Sequence, residues 1–439
     1  MSYLMYKRII VVITLIIVAS LIYMLFSGYI NIESGTKNHK PFISIDYPND
    51  GESVSKIVTI SGIASDPDGN DTLEKVEILI NNEWRDANGT TKWIYTWDIY
   101  KIENSIYTIN VRSWDGIDYS DYDEIKLRVE NPEISETESH KWAVFISASN
   151  FPKDNDSKLG NGALNLAEEM VSFFITKLDY STENIFILFD DGWIRRDNGF
   201  GEPIMTLQER KHQYDITYAG ALKDVVESTI SHITDEASNF DDSEVFIWIA
   251  GHGRGNINNT LTGGKLFEKS EVFFWDNTIS DKELGSLLTG LRSDKICVVI
   301  DACFSGGFAD KTIFGFRESF LLKSKLPRPG RVIITATSKF RPGYTSTLRG
   351  PLFSQIWFYG LTSGEADGYK RGILHRGRPT ILKIFKNGEV SVEEAFYYAS
   401  YVLRTDKALD DYSRMEPQIN DQYPKKGFIR SLKGLVLGN

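Results

Sequence analysis

Two stretches of the sequence place a reactive side chain directly after an apolar run. The run at 245–250 is followed by Gly-His252-Gly, and the run at 297–300 is followed by Asp-Ala-Cys303. A free thiol is only a few per cent ionised at neutral pH, so a nucleophilic cysteine needs a base. An imidazole, with an unperturbed pKa of about 6.5, can supply it. The pair therefore predicts nucleophilic catalysis, with Cys303 as nucleophile and His252 as general base.

Glycines accompany both residues and have a chemical reason to be there. Gly251 and Gly253 permit a sharp turn and a close approach of the backbone to a substrate. The amides of Gly253 and Cys303 are predicted to form an oxyanion hole, which in other acyl-transfer enzymes contributes about 3 kcal/mol per donor.

Two other interpretations of the motifs were weighed. A core cysteine and a solvated histidine form the structural alternative, but it does not explain both residues at comparable strand ends. A metal site is the functional alternative, yet neither motif has a further Cys or His at ligand spacing. We therefore expect neither a metal nor a cofactor.

The elements that must position these residues follow from the pattern of residues 141–439. Apolar runs with little alternation predict strands at 142–148, 184–189, 245–250, 295–301 and 331–337. Helical periodicity predicts helices at 162–178, 218–237 and 280–291. Alternating strands and helices indicate a mainly parallel sheet with helices on both faces, whose chemistry lies beyond the carboxyl ends of the strands.

Only two cysteines occur in the chain, Cys297 and Cys303. Within one strand they are separated by about 20 Å, at about 3.3 Å per residue. A disulfide requires Cα atoms within about 7 Å. The two thiols are therefore predicted to be unpaired.

The N-terminal region, residues 1–30, predicts a membrane anchor. Lys7 and Arg8 precede a charge-free apolar run at 9–26, which at about 1.5 Å per helical residue is close to the thickness of a hydrocarbon core of about 30 Å. The positive charges predict a cytoplasmic N-terminus and an extracytoplasmic remainder, hence a single-pass protein of the cell membrane. A cleaved signal peptide is the alternative, but no Ala-x-Ala-like site follows the run.

Residues 41–130 have a different pattern from the rest of the chain. A polar stretch at 31–40 is predicted to be a stalk, and a polar, acidic stretch at 131–140 a linker. Between them, short runs with period-two alternation are separated by turn formers, which indicates an all-β sandwich. The motifs Pro48-x-Asp-Gly, Gly62-x-Ala-x-Asp-x-Asp-Gly and a late Asp115-Gly resemble the immunoglobulin-like modules of prokaryotic surface proteins.

The overall charge excludes one class of partner. The formal net charge is -11 and the isoelectric point about 5.2. A nucleic-acid-binding surface needs a basic face to meet phosphates, so we expect no nucleic-acid partner.

The two motifs, an apolar strand before His-Gly and another before Asp-Ala-Cys-x-Ser-Gly, resemble those of caspase-like cysteine peptidases, among them legumain. The resemblance covers residues 141 to about 430 and implies a caspase-like α/β/α sandwich. It also implies hydrolysis of protein or peptide substrates through a thioester, without a cofactor. From metacaspases and clostripain it implies that Asp301, two residues before the nucleophile, helps to bind a basic P1 side chain. Ser338 is assigned to the same S1 pocket.

Two alternatives to a peptidase remain open from the sequence. A transamidase would use the same Cys and His but pass the acyl group to an amine. A catalytically silent adhesion or scaffold protein would keep the fold without the chemistry, although the motifs of His252 and Cys303 are intact.

Overall fold

The computed structural model describes residues 11–23, 37–131, 139–150, 158–255, 270–309, 312–313, 316–317, 326–375, 378–383, 386–412, 414–424 and 434–439. The stalk and linker predictions fall largely outside these residues, at 31–36 and 132–138.

The prediction of a transmembrane helix is wrong. Within the described residues no helix is long and apolar enough to cross a membrane. The described part of the first helix, α1, covers residues 11–23. The absence of such a helix overturns the anchor in the predicted fold class and the predicted single-pass location in the cell membrane.

Residues 42–129 form two antiparallel sheets packed face to face. One sheet has the order β1-β3-β6, and the other has the order β2-β8-β7-β4-β5, in which only the short β2 runs parallel to its neighbour. Alternate residues point into a shared core that includes Val76, Trp93 and Trp97. The strands are β1 Phe42–Tyr47, β2 Ser53–Val54, β3 Ile57–Ser65, β4 Lys75–Ile80, β5 Glu83–Asp86, β6 Lys92–Asp98, β7 Ile106–Trp114 and β8 Asp123–Val129.

The rest of the chain is built on a seven-stranded sheet of order β13-β10-β9-β14-β18-β21-β26. All neighbours are parallel except β26, which runs antiparallel to β21. Its strands are β9 Lys141–Ala148, β10 Ile185–Phe189, β13 Thr217–Ala219, β14 Glu244–Gly251, β18 Lys295–Ala302, β21 Arg331–Thr335 and β26 Gln418–Asp421.

Helices cover both faces of this sheet. Leu164, Phe353 and Val392 of α2, α6 and α7 pack on one face, and Val226 and Leu284 of α4 and α5 pack on the other. The helices are α2 Gly162–Leu178, α3 Arg196–Gly199, α4 Lys223–Ala237, α5 Asp281–Leu287, α6 Leu352–Ser363 and α7 Val392–Thr405. Because both faces of these strands are buried, their sequences are continuous apolar runs.

Short two- and three-stranded sheets lie in the connections between these elements. They are β11 Trp193–Arg195 with β12 Pro203–Thr206, β15 Gly253–Arg254 with β16 Glu271–Phe273 and β17 Thr278–Ser280, β19 Thr312–Ile313 with β20 Phe316–Arg317, β22 Thr345–Ser346 with β23 Gly350–Pro351, and β24 Tyr369–His375 with β25 Arg378–Lys383. The trio β15-β16-β17 begins at Gly253, so only His252 lies between it and the carboxyl end of β14.

Candidate active site

The two predicted catalytic residues follow neighbouring strands that end at the same level. β14 and β18 pair in parallel with Gly251 opposite Ala302, the last residue of each strand. His252 and Cys303 are the residues that immediately follow these strand ends. Neighbouring strands lie about 4.8 Å apart. The sheet therefore brings the two residues together although 50 residues separate them in the chain.

Gly253 lies directly against the backbone of Cys303. A Cβ atom at this position would overlap the carbonyl oxygen of Cys303, so no larger residue fits without a backbone shift. The N–H of Phe273 donates to the carbonyl of His252 at 3.0 Å. This makes 252 and 273 a hydrogen-bonded pair, so the next pair, Gly253 and Val272, is non-hydrogen-bonded. The N–H of Gly253 therefore points away from β16.

Gly251 makes the turn that immediately precedes His252. Its φ of 151° lies in a region that L side chains rarely adopt, and a Cβ there would come within 2.8 Å of the carbonyl oxygen of Ala148. Only glycine combines that conformation with this packing.

Cys303 is half-buried at the start of a tight turn. The next residue, Phe304, has a left-handed φ of 57°, and Ser305–Gly307 form one turn of 3-10 helix. Burial raises the pKa of the Cys303 thiol, while a hydrogen bond from the Gly343 amide to the sulfur, at 3.2 Å, opposes the shift. The buried thiol therefore needs an activator to be ionised at neutral pH.

Asp301 is more deeply buried than a residue that lines an open pocket. Its side chain is 3% exposed, and Oδ2 accepts hydrogen bonds from the N–H and the hydroxyl of Ser354 on α6, both at 2.8 Å. The indole of Trp248 donates to the same hydroxyl at 2.9 Å. Burial raises the pKa of Asp301 to about 7, against the effect of the Ser354 bonds. One role of this carboxyl group is thus to hold the first turn of α6 on the sheet.

Ser338 lies beside the turn that follows the nucleophile. A Cβ at Gly306 would come within 2.8 Å of the Ser338 Cα. The Ser338 hydroxyl donates to Oε2 of Glu416 at 3.2 Å, and its N–H donates to the carbonyl of Met415 at 3.0 Å. Ser338 therefore joins the nucleophile's turn to the segment before β26.

Sequence reasoning missed two residues at this site. Gly343 contacts the sulfur of Cys303, and Glu416 places an acid beside Ser338, where the loop after β21 has none of its own. Neither position has a sequence signal. A glycine after proline is a common turn, and Glu416 reaches the site only because β26 returns to pair with β21.

The described residues contain no group of three or more His, Cys, Asp or Glu side chains that could hold a metal ion. The chemistry available from His252 and Cys303 is proton transfer followed by nucleophilic attack.

Comparisons with known proteins identify part of the chain. A family model described as "Bacterial Ig domain" matches residues 41–111. No curated protein shows significant similarity. Residues 41–111, within the two-sheet part of the chain, are therefore similar to a bacterial Ig domain.

Several solved structures are similar in part. Caspase-1 from Spodoptera frugiperda is 13% identical over 64% of this chain and 86% of its own, with a TM-score of 0.34. The endo-beta-1,4-mannanase from Thermotoga petrophila is 18% identical over 23% of this chain, with a TM-score of 0.20, and only 22% of the mannanase is spanned. Fibronectin(III)-like modules of Clostridium thermocellum CbhA are 21% identical over 21% of this chain and all of their own, with a TM-score of 0.19.

Proposed function

We propose that this protein is a cysteine-type endopeptidase that cleaves protein or peptide substrates with Cys303 and His252. The observation that carries the proposal is the parallel register of β14 and β18, with Gly251 opposite Ala302. His252 and Cys303 each follow one of these adjacent strand ends, and a Cβ at Gly253 would overlap the Cys303 carbonyl oxygen, so the two segments pack closely, which supports the proposal.

The proposed reaction has two stages. His252 accepts the proton from the Cys303 sulfur, which attacks the scissile carbonyl carbon, and collapse of the tetrahedral intermediate breaks the C–N bond. His252 returns the proton to the leaving amine, and water then hydrolyses the thioester. The N–H groups of Gly253 and Cys303 are the proposed oxyanion donors. Transfer to an amine would use the same two residues, and no contact in the site favours it.

We include in this proposal a preference for Arg or Lys at P1. Glu416 supplies the acid for this preference, since it bonds Ser338, one of the two proposed S1 residues. Asp301, the other, is bonded to Ser354 and has a raised pKa, so it contributes less negative charge. A negative potential beside a cleft favours a basic side chain and disfavours an acidic one.

Labelling by peptides that carry an electrophile after P1 tests the proposal. Three proteins are compared, the parent, Cys303→Ala and Cys297→Ala, each with an Arg probe and an otherwise identical Asp probe. We expect both probes to modify Cys303 in the parent and in Cys297→Ala, the Arg probe faster, and Cys303→Ala to stay unlabelled. Equal labelling of Cys303→Ala would refute the peptidase. Faster reaction with the Asp probe would refute only the P1 preference.

A further inference from the structure

The segment 338–344, here called the sulfur loop, follows β21 and lies on the turn that carries the nucleophile. The N–H of Phe304 donates to the carbonyl of Arg341 at 2.9 Å, and the N–H of Gly343 donates to the Cys303 sulfur at 3.2 Å. The sulfur therefore has a backbone hydrogen-bond partner in the sulfur loop.

The peptide around Gly343 suits both protonation states of the sulfur. Its N–H donates to the sulfur, and its carbonyl oxygen is 3.8 Å from the sulfur, where it can accept from a protonated thiol. A donor to a charged acceptor forms a stronger hydrogen bond than a donor to a neutral one. The contact from the N–H consequently favours the thiolate.

The sulfur loop is fixed from outside the site. Arg341 forms an ion pair with Glu416 at 3.7 Å, and the Ser338 hydroxyl bonds the same carboxylate. At the other end, the Leu352 N–H donates to the Tyr344 carbonyl at 2.9 Å. These contacts hold the Gly343 amide in place before any substrate arrives, which is the condition for a preorganised donor.

We propose that the backbone N–H of Gly343 is a positioning donor that orients the Cys303 sulfur and stabilises its thiolate. The inference rests on the proposed function. In the step it serves, the S–H bond breaks and the proton goes to the imidazole of His252. The N–H bond of Gly343 stays intact while its hydrogen bond to the sulfur strengthens. The lowering of the Cys303 pKa that the Gly343 contact produces, against burial, agrees with this role.

Two substitutions at one position test the N–H group; the proline also places its ring Cδ where the amide hydrogen faced the sulfur. A Cβ at Gly343 would meet its nearest neighbours, Ala302, Cys303 and Thr337, at 3.5 Å, an ordinary contact, so Gly343→Ala keeps the N–H and fits. Gly343→Pro removes the N–H. The measurement is the rate of iodoacetamide alkylation of Cys303 in the full chain across pH, with modified residues identified by mass spectrometry.

We expect the parent and Gly343→Ala to share one midpoint pH and Gly343→Pro to have a midpoint higher by about one pH unit, since a hydrogen bond to a charged group is worth about that much. An unchanged midpoint in folded Gly343→Pro would overturn the inference. Faster alkylation of Gly343→Pro at neutral pH would also overturn the inference, because it would mean that the Gly343 amide only shields the sulfur from the reagent. If Gly343→Pro does not fold, Ser338→Ala decides. Loss of its bond to Glu416 loosens the sulfur loop, so a higher midpoint supports the inference and an unchanged one overturns it.

The outcome is distinguishable from failure of the proposed function. If the peptide electrophile does not select Cys303 in the parent, the peptidase proposal fails. If it does select Cys303 but the alkylation midpoint is the same with and without the Gly343 N–H, only the role of Gly343 fails.

Discussion

The two ends of the seven-stranded sheet carry the same kinds of side chain in different settings. The carboxyl end has Cys303 and His252. Towards the amino end lie Cys297, fully buried in β18, and His140, which immediately precedes β9. Residue type alone therefore does not distinguish a reactive end from a structural one.

The amino end is closed by the chain itself. Residues 434–439 return to it, where the Leu435 N–H donates to both oxygens of Glu393, at 3.1 and 2.9 Å, and the Gly438 N–H donates to Glu244 at 2.7 Å. Leu435 and Leu437 are buried. Burial raises the pKa of the Cys297 thiol well above its usual value. This end packs like a core, and its thiol is inert in the manner of other buried cysteines.

At the carboxyl end, backbone segments pack directly against each other, whereas side chains fill the amino end. Glycines at 251 and 253 replace side chains where β14 meets the turn after β18, and the sulfur of Cys303 stays half-buried beside backbone amides. On the proposed function, reactivity depends on where the strands end.

The largest expected difference between the ends is in the two histidines. His252→Ala should lower kcat/KM by about 10²–10⁴, because proton transfer by a positioned base contributes that much. His140→Ala should leave kcat/KM unchanged, since His140 bonds Asp242 and stacks on Phe240 away from the cleft. Initial rates on a fluorogenic peptide measure both, and similar losses in the two variants would remove the distinction between the ends.

Glycine substitutions probe the same contrast with a smaller effect. Gly253→Ala must push the backbone away from the Cys303 carbonyl, and a displacement of about 1 Å near the chemistry can cost roughly 10² in rate. Gly438 has a φ of 87°, and an added Cβ would be 3.0 Å from the Leu178 Cα. Gly438→Ala should therefore cost about 1–3 kcal/mol of stability, with the rate retained. Kinetics and thermal melting of both variants give the comparison. A rate loss in Gly438→Ala at a temperature where it is folded would contradict it.

Much of the scaffold could be predicted from the sequence because buried parallel strands leave continuous apolar runs. The helix predicted at 162–178 is confirmed as α2, and the strand ends at 251 and 302 lie within one residue of prediction. The helix predicted from 218 begins only at Lys223, because Thr217–Ala219 pair with β10 as an edge strand. Such pairing depends on tertiary structure and has no local signal.

The remaining errors have similar causes. The membrane span predicted from the apolar run at 9–26 is wrong, because no helix within the described residues is long and apolar enough to cross a membrane. Gly343 and Glu416 reach the site through a loop and an antiparallel return strand whose positions no pattern specifies. The resemblance to metacaspases and clostripain assigned Asp301 to the S1 pocket, but its bonds to Ser354 could not be foreseen.

The smallest expected effect concerns pH and stability at the amino end. Burial, together with the nearby Asp421, raises the pKa of Glu393 from 4.5 to about 8. A carboxyl group with a raised pKa contributes stability that is fully present below its unfolded pKa and is lost as pH rises through its folded pKa. The parent should therefore lose stability between about pH 4.5 and 8 through this group.

Glu393→Gln tests this because the amide keeps an oxygen that can accept from Leu435 but cannot ionise. Between about pH 5 and 8 the Tm of the parent should fall by several degrees more than that of the variant, a difference of a few kcal/mol at most. Thermal melts across pH measure it, with peptidase rate at 25 °C as the control, which should be equal in the two proteins. Parallel Tm curves would show that Glu393 is ionised without penalty, and the amino end would then not be a sealed core.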